Sequence, residues 1–536
     1  MTEYGIGVQM KAPIDGPFTE IVTLEAMEFV IGLHRRFNPR RKELLAARVE
    51  RQRRLDAGER PDFLSETKQI RESEWTVAEP PRNLLDRRVE IAGPTDRKTI
   101  INALNSGAKA FMADLEDAIA PTWENLVEGQ INLRDAIRHW IVFEDEDTRK
   151  RYKLEEETAL LFVRPRGWHM EERHMQIDGE PISASIFDFG FYFFHNAQEL
   201  LRHGSGPYFY LSRMESYLEA RLWNEIFLAA QQQIGAPVGC IRAAVLIDNI
   251  LAAFEMDEIL WELREHSAGL TCGRWDYLFS FIKKSASDGC AVLPDRAQVT
   301  MMTHFMRSYS NLLIKTCHRR GVSAIGSMNA LIPIKDDPVA NERAMSETQA
   351  DKESEVNDGY DGTRVAHPAL VPIVMEVFNR VMPKANQIDR QLPGFNPCAA
   401  DLLQLPDGNI TAAGVRFNVA IGLGYVQAWL RGSGCVPLFN LIEDAAAAEL
   451  SHAQLWQWVQ HHAKLDDGRE VTVELVQDAI KAELAMVKPV VGMECYRAYM
   501  RAAELMREIV RAEGFTEFLA LTTYPRVLER EHYPMA

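Results

Sequence analysis

Residues Gly269–Ser280 read GLTCGRWDYLFS, an apolar run that ends in a glycine, an arginine, a tryptophan and an aspartate. Asp276 stands between Trp275 and Tyr277. Paired bulky aromatics mark a buried strand, and an isolated carboxylate buried beside them is costly unless a cation or metal compensates it. The stretch predicts a strand ending near Asp276 whose carboxylate is held by a partner.

The same pattern recurs on both sides. Apolar runs followed by polar residues and then a helical segment occur at Ala108–Asp117, Ala159–Trp168, Pro207–Met214, Ile241–Asp248, Val322–Asn329 and Thr363–Leu370. Helical spacing is clear between them in AQELLRHG, LAAFEMDEILWELREH and FMRSYSNLLIKTCHRRG. Strand and helix alternating over this length imply a parallel sheet, and so many units favour a closed (β/α)8 TIM barrel. An eighth strand is not evident.

Outside this region the pattern is helical. Residues Thr23 to Trp75 carry leucines at helical spacing among many Arg and Glu residues, which reads as a solvated helical layer. From about Asn386 three further helical stretches follow, and in AAAAELSHAQLWQWVQHHAKL the residues Leu455, Trp458, Val459 and His462 share one helical face. The expected organisation is an N-terminal helical clasp (1–95), a barrel (96–385) and a C-terminal helical domain (386–536).

Composition narrows the function. A chain of 536 residues with a formal net charge of −17 lacks the basic surface that nucleic acids or anionic membranes require. The longest apolar stretch is broken by Arg242 and Asp248, so no membrane span is expected. The N-terminal residues do not resemble a secretory signal, the final HYPMA is not a peroxisomal address, and seven dispersed cysteines fit reduced thiols. A cytoplasmic protein is expected, and anionic small substrates stay open to it where local cations assist.

In a parallel barrel, chemistry collects at the C-terminal ends of the strands. Four expected strands end in charge: Glu116 and Asp117, Arg164, Asp248 and Asp276. Oxygen-rich carboxylate clusters suit a hard cation such as Mg2+. Equally, Asp248 and Asp276 fit helix caps, Arg164 fits a rim ion pair, and Glu116 and Asp117 could pair with Arg87, Arg88 or Arg97. Asp444, opening an alanine-rich helix, also reads as an N-cap.

Read together, the segments resemble the malate synthase family in its shorter, A-type form. The likeness is carried by DRRVEIAGPTDRKTIINALNSGAKAFMADLEDAIAPTWENLVEGQINLRDA, then GPYFYLSRMES, MDEIL, GLTCGRWDYLFSFIK, VLPDRAQVTM, LLIKTCHRRG, DGTRVAHPAL and GSGCVPLFNLIEDAAAAE, in the family's order and from about residue 20 to about residue 520. The resemblance implies a barrel with a clasp and a closing C-terminal domain. It implies Claisen-type condensation of acetyl-CoA with glyoxylate, and hydrolysis to malate and CoA in the glyoxylate bypass.

By position, Asp444 matches the family's base and Arg164 its enolate-stabilising arginine. Asp276 and Asp248 match the two ligands of a Mg2+, with Mn2+ as the alternative ion, that acts as a Lewis acid on glyoxylate. Glu116 and Asp117 match residues holding the metal's waters, and Gly273 and the Trp275 backbone approach the substrate carboxylate. Met328, Arg364 and Pro368 fall in segments lining the acceptor and acyl-CoA pocket.

Four positions depart from the pattern. Asp248 stands for a glutamate, Arg364 for a tryptophan, Ile442 for a methionine and Asn329 for an alanine. They gather around the acceptor, which leaves open an enzyme for a larger or dicarboxylic 2-oxo acid. A non-catalytic relative that binds CoA esters is the third reading.

Overall fold

The computed structural model describes residues 5–532. Eight parallel strands close into a barrel: β1 (Val89–Gly93), β2 (Ala110–Asp114), β3 (Leu160–Arg164), β4 (Tyr208–Leu211), β5 (Arg242–Ile247), β6 (Ser267–Cys272), β7 (Ala324–Asn329) and β8 (Gly362–Val365). Each pairs with its sequence neighbours, and β8 closes onto β1 with Arg364 opposite Glu90. The strand missing from the sequence reading is β1, a run of five residues that lies ahead of residue 96, where the barrel was expected to open.

Alternation along each strand sorts side chains into two cores. Ala110, Met112, Phe162, Tyr208, Tyr210, Ala244 and Leu246 fill the barrel, while Phe111, Ala113, Val163, Phe209, Val245 and Ile247 pack against the surrounding helices. Because both faces are covered, the strands read as nearly continuous apolar runs. The inward parity continues to the mouth, where it reaches Asp114, Arg164, Ser212 and Asp248. Asp114 and Arg164 are register partners across β2 and β3. At the other end Arg87, whose Nε lies 2.6 Å from Glu90, donates from Nη2 to the Tyr210 hydroxyl at 2.6 Å.

Strand β6 stops at Cys272, short of the expected end at Asp276. Gly273 is the N-cap of a helix, Arg274–Lys284, so Trp275, Asp276 and Tyr277 occupy its first turn. Gly269, within β6, has φ +105°, and a Cβ there would stand 2.0 Å from the Ser323 carbonyl oxygen. The close contact with the next strand needs glycine.

The clasp helix Leu24–Asp56 is capped by the Thr23 side chain, which accepts the Ala26 N–H at 3.2 Å, and buries Phe29, Val30, Leu33 and Phe37. Phe29 stacks on Phe193 of the helix Ala184–Arg202. The expected helix to Trp75 breaks after Asp56 and resumes only at Lys68–Glu72; Gly58, at φ +99°, and Pro61 account for the interruption. The C-terminal core gathers Leu423, Leu455, Trp458 and Met506 from packed helices. His462, expected on the Leu455–Trp458 face, lies beyond the end of its helix at Gln460 and is exposed, paired with Glu470.

Candidate functional site

A cavity of about 750 Å3 lies at the barrel mouth beneath the C-terminal domain. Of the residues selected from the sequence, all except Glu116 and Asp248 line it. Its lid is the hairpin Val436–Leu438 and Leu441–Glu443, turned by Phe439 and Asn440, both at positive φ as a two-residue hairpin turn requires. The hairpin is fastened to the barrel where Ile442 donates its N–H to the Ala330 carbonyl at 2.8 Å. The helix Ala445–Gln460 follows, so the lid delivers Asp444 as an N-cap that accepts the Ala447 N–H at 3.4 Å. The cap role holds, and the same carboxylate faces the cavity.

Two buried guanidinium groups organise the mouth. Arg164 reaches Asp114 Oδ2 at 3.0 Å and Asp117 Oδ2 at 2.6 Å, and donates through Nε to Ser212 Oγ at 3.0 Å. Its Nη2 is buried with no hydrogen-bond partner. Asp114 Oδ1 accepts the N–H groups of Glu116 and Asp117 at 2.8 and 3.1 Å, folding the chain so that Asp117 returns to the mouth. Glu116 and Asp117 therefore serve this cluster, not Arg87, Arg88 or Arg97, whose partners are Glu90, Asp86 and Asp135.

The second cation, Arg213, was not selected from the sequence. It donates from Nη2 to Asp117 Oδ1 at 2.7 Å and lies 3.5 Å through Nε from Glu116 Oε1. Its backbone is left-handed, φ 58°, a strained setting for a non-glycine residue. Both oxygens of Asp248 accept its N–H, at 3.1 and 2.9 Å. Asp248 is thus turned behind the Arg213 backbone, and it does not cap the following helix, whose N-cap is Asn249. Arg213 follows the end of a strand, as Asp248 does, so the same signal marks it.

Six carboxylates, Asp114, Glu116, Asp117, Asp248, Asp276 and Asp444, face these two cations. Burial, reinforced by Asp117, pushes Glu116 up to about 7. Burial, then Asp117, Asp114 and Glu443, pushes Asp444 up to about 7 as well. Burial opposes ionisation of Asp117, but Arg164 and Arg213 outweigh it and hold this carboxyl below its ordinary value. Burial raises Asp276 well above the carboxylate range despite Arg213. With six carboxylates against two guanidinium groups, burial holds several of them toward the neutral form, and one more cation would favour their ionisation.

Asp276 is where that cation fits. Its Oδ1 lies 2.7 Å from Arg213 Nη1 but out of line for a hydrogen bond, and is otherwise buried without a partner. No three His, Cys, Asp or Glu side chains form a ready cage among the described residues. Mg2+ needs only one or two carboxylates, completing its shell with water and substrate oxygens. The donor set and the orphaned oxygen fit such an ion.

Trp275 lies half-buried beside the cavity with Arg274 over its ring at 4.2 Å. Gly273 receives no side chain here: its N–H donates to the Tyr309 hydroxyl at 3.2 Å, and a Cβ would sit 3.2 Å from that of Asp248. Met328 and Arg364 are register partners on β7 and β8. Pro368 opens a short 3-10 turn at the rim, with His367 accepting the Ala369 N–H.

Comparison with known proteins accords with this geometry. Residues 7–69 match the malate synthase N-terminal domain, 160–405 the malate synthase TIM barrel domain and 409–527 the malate synthase C-terminal domain. A malate synthase of Myxococcus xanthus (strain DK1622) is 54% identical over 523 residues, covering 97% of this chain and 96% of that one. The chain belongs to the malate synthase family. A malate synthase of Dictyostelium discoideum is 48% identical over 535 residues, covering 98% of each, and a glyoxysomal malate synthase of Glycine max is 47% identical, covering 98% of this chain and 95% of that one. Three of the four departures from the family pattern, Asn329, Arg364 and Ile442, line the cavity, and Asp248 stands just behind it.

Proposed function

We propose that this malate synthase family member condenses acetyl-CoA with glyoxylate and hydrolyses the product to malate and CoA. The observation that carries the reading is the meeting of Asp444, from the C-terminal domain, with Arg164, from β3, at one cavity. A thioester methyl is a weak carbon acid, so a base and a cation at the developing oxyanion must act together. Asp444, with its carboxyl near 7, takes the methyl proton. Arg164 offers its unspent Nη2 donor to the enolate oxygen while Asp114, Asp117 and Ser212 fix its plane.

Asp276, with Asp248 behind it, would hold a divalent ion, Mg2+ in our reading, which when bound polarises the acceptor's oxo group as a Lewis acid. Arg213 holds Asp117 and Asp276 apart and in place. Gly273, whose own N–H is taken by Tyr309, has no side chain to keep the acceptor carboxylate from the first-turn backbone around Trp275. The lid hairpin keeps water from the enolate. A silent CoA-ester binder would have no use for a base whose acidity is moved toward neutrality.

The supporting setting is a reducing compartment, since all seven cysteines are free, and we place the enzyme in the cytoplasm. No described helix is long and apolar enough to cross a membrane. The test is thiol release from acetyl-CoA with Mg2+ and glyoxylate. Turnover that vanishes in Asp444→Asn supports the reading; no release from the native chain overturns it.

A further inference from the structure

Arg364 is a buried cation without a counter-ion. It is 3% exposed, and its guanidinium lies inside the barrel 5.7 Å from the Tyr210 ring centre. A guanidinium has five N–H donors. One reaches the Cys272 carbonyl oxygen at 2.7 Å, Nη1 meets only the Met112 sulfur at 3.8 Å, and Nε is buried with no partner. Among the described residues Arg364 makes no ion pair.

Other buried arginines are paired with carboxylates or, like Arg41 and Arg242, donate to several oxygen atoms. Arg87, Arg166 and Arg213 are paired with carboxylates. Arg296, which among the described residues also has no ion pair, gives its two Nη groups to three oxygen atoms, of Ala447, Asn418 and Ser451, and leaves only Nε without a partner. Burying a charge without compensation is costly, so an unspent guanidinium at a cavity wall implies a ligand that brings the missing anion.

The position names the ligand's chemistry. Arg364 lines the same cavity as Asp276 and Gly273, and the carbonyl it holds belongs to Cys272, the residue just before Gly273. Around it the wall is apolar, with Ile91, Met112, Leu246 and Met328. The planar fork matches a carboxylate through two parallel hydrogen bonds.

We propose that Arg364 receives a second carboxylate on the acceptor, so that beside glyoxylate this site takes 2-oxo dicarboxylic acids and prefers them to enlarged acceptors without the second charge. The inference rests on the condensation reading above. The acetyl methyl gives its proton to Asp444, its carbon bonds to the oxo carbon, and the oxo oxygen becomes a hydroxyl by taking up a proton. Water then cleaves the thioester, releasing CoA as the thiol and leaving a hydroxy tricarboxylic acid.

The experiment measures thiol release and product mass with acetyl-CoA, Mg2+ and, separately, glyoxylate, pyruvate, oxaloacetate and 2-oxoglutarate. Pyruvate is the reference, since it enlarges the acceptor without adding charge. We expect kcat/KM for a dicarboxylic acid to exceed that for pyruvate, and Arg364→Met to lower this ratio by on the order of 10²-fold, the usual scale for a lost buried charge pair. Arg364→Lys, which keeps the charge but loses the fork, should lower it less, and serves in its place should the methionine variant not fold.

A native ratio at or below one, or a ratio unmoved by either substitution, overturns the proposal while glyoxylate turnover leaves the condensation reading intact. Absence of thiol release with every acid overturns the condensation reading. Calorimetric titration with the same acids then decides on Arg364 alone: tighter dicarboxylate binding that the substitutions abolish supports it, and equal binding of pyruvate overturns it.

Discussion

The backbone N–H of Arg213 is shared by both carboxylate oxygens of Asp248, at 3.1 and 2.9 Å. That contact fixes a strained backbone at φ 58° and carries Arg213 between Asp117 and Asp276. It also withdraws Asp248 from the cavity. One more methylene would let a carboxylate reach past this N–H. Asp248→Glu is therefore expected to lower the Mg2+ concentration for half-maximal activity by about 10-fold, within the usual range for changes around a metal site. A Mg2+ titration of thiol release, with calorimetry of Mg2+ binding, checks it; an unchanged midpoint rejects a metal role for position 248.

Asp444 links activity to acidity. Its carboxyl is raised to about 7, so the ionised base appears only as pH climbs through that value, and kcat/KM should rise accordingly. Stability runs the other way. The folded chain holds a proton that the unfolded chain, with an ordinary carboxyl near 4, has released, so between about pH 4 and pH 7 this group costs stability as pH rises. Asparagine caps helices as well as aspartate does. Asp444→Asn should reduce turnover by about 10²–10⁴-fold and raise the unfolding temperature at pH 8, with little effect at pH 4. Melting curves at the two pH values test this, and a lower melting temperature at pH 8 contradicts it.

Arg164 separates charge from geometry. Arg164→Lys keeps a cation beside Asp114 and Asp117 but cannot supply both the Ser212 contact and a free donor. Turnover should fall by about 10²–10³-fold, the loss seen when one oxyanion donor is removed, with a small change in melting. Arg164→Met also leaves Asp114 buried without a counter-ion, while Asp117 keeps Arg213, and should destabilise by about 3–5 kcal/mol. Kinetics and denaturant unfolding of the pair distinguish the two contributions.

Gly434 sits where the C-terminal domain meets the barrel. A Cβ at this position would stand 2.2 Å from the Ile119 backbone nitrogen, where Ile119 and Ser433 form an isolated bridge between barrel and C-terminal domain. Backbone cannot yield as a flexible side chain can. Gly434→Ala should lift the lid, raise the KM for acetyl-CoA and speed proteolytic cleavage between the domains, while far-UV circular dichroism stays unchanged. Unaltered KM and cleavage would show that closure does not depend on this contact.

The barrel was legible because its strands are covered on both faces and so appear as apolar runs that end in charge. β1 escaped because VEIAG has a glutamate, Glu90, within its few apolar residues and directly follows the charged run Asp86–Arg88, with nothing local to separate it from the clasp. Trp275 and Tyr277 misled for a related reason. Aromatics serve a buried helix turn as well as a strand, and only the Gly273 cap distinguishes them. Arg164, Asp276 and Asp444 could be picked out as strand or helix ends; Arg213 carries the same signal just past Leu211, but its role as the second cation depends on a backbone at φ 58° that the sequence does not show. The pairing of Asp117 with two guanidinium groups is long-range, and no spacing in the sequence encodes it.

The backbone seam at Gly434 has a further consequence. The surface that closes the cavity is fixed at a place where no side chain fits, while Asn329, Arg364 and Ile442, which line the cavity, stand on β7, on β8 and in the lid hairpin. Substitutions at these three positions can reshape the cavity wall without renegotiating how the two domains meet. Closure and taste are inherited separately, so a single closed architecture can seed enzymes of different diets.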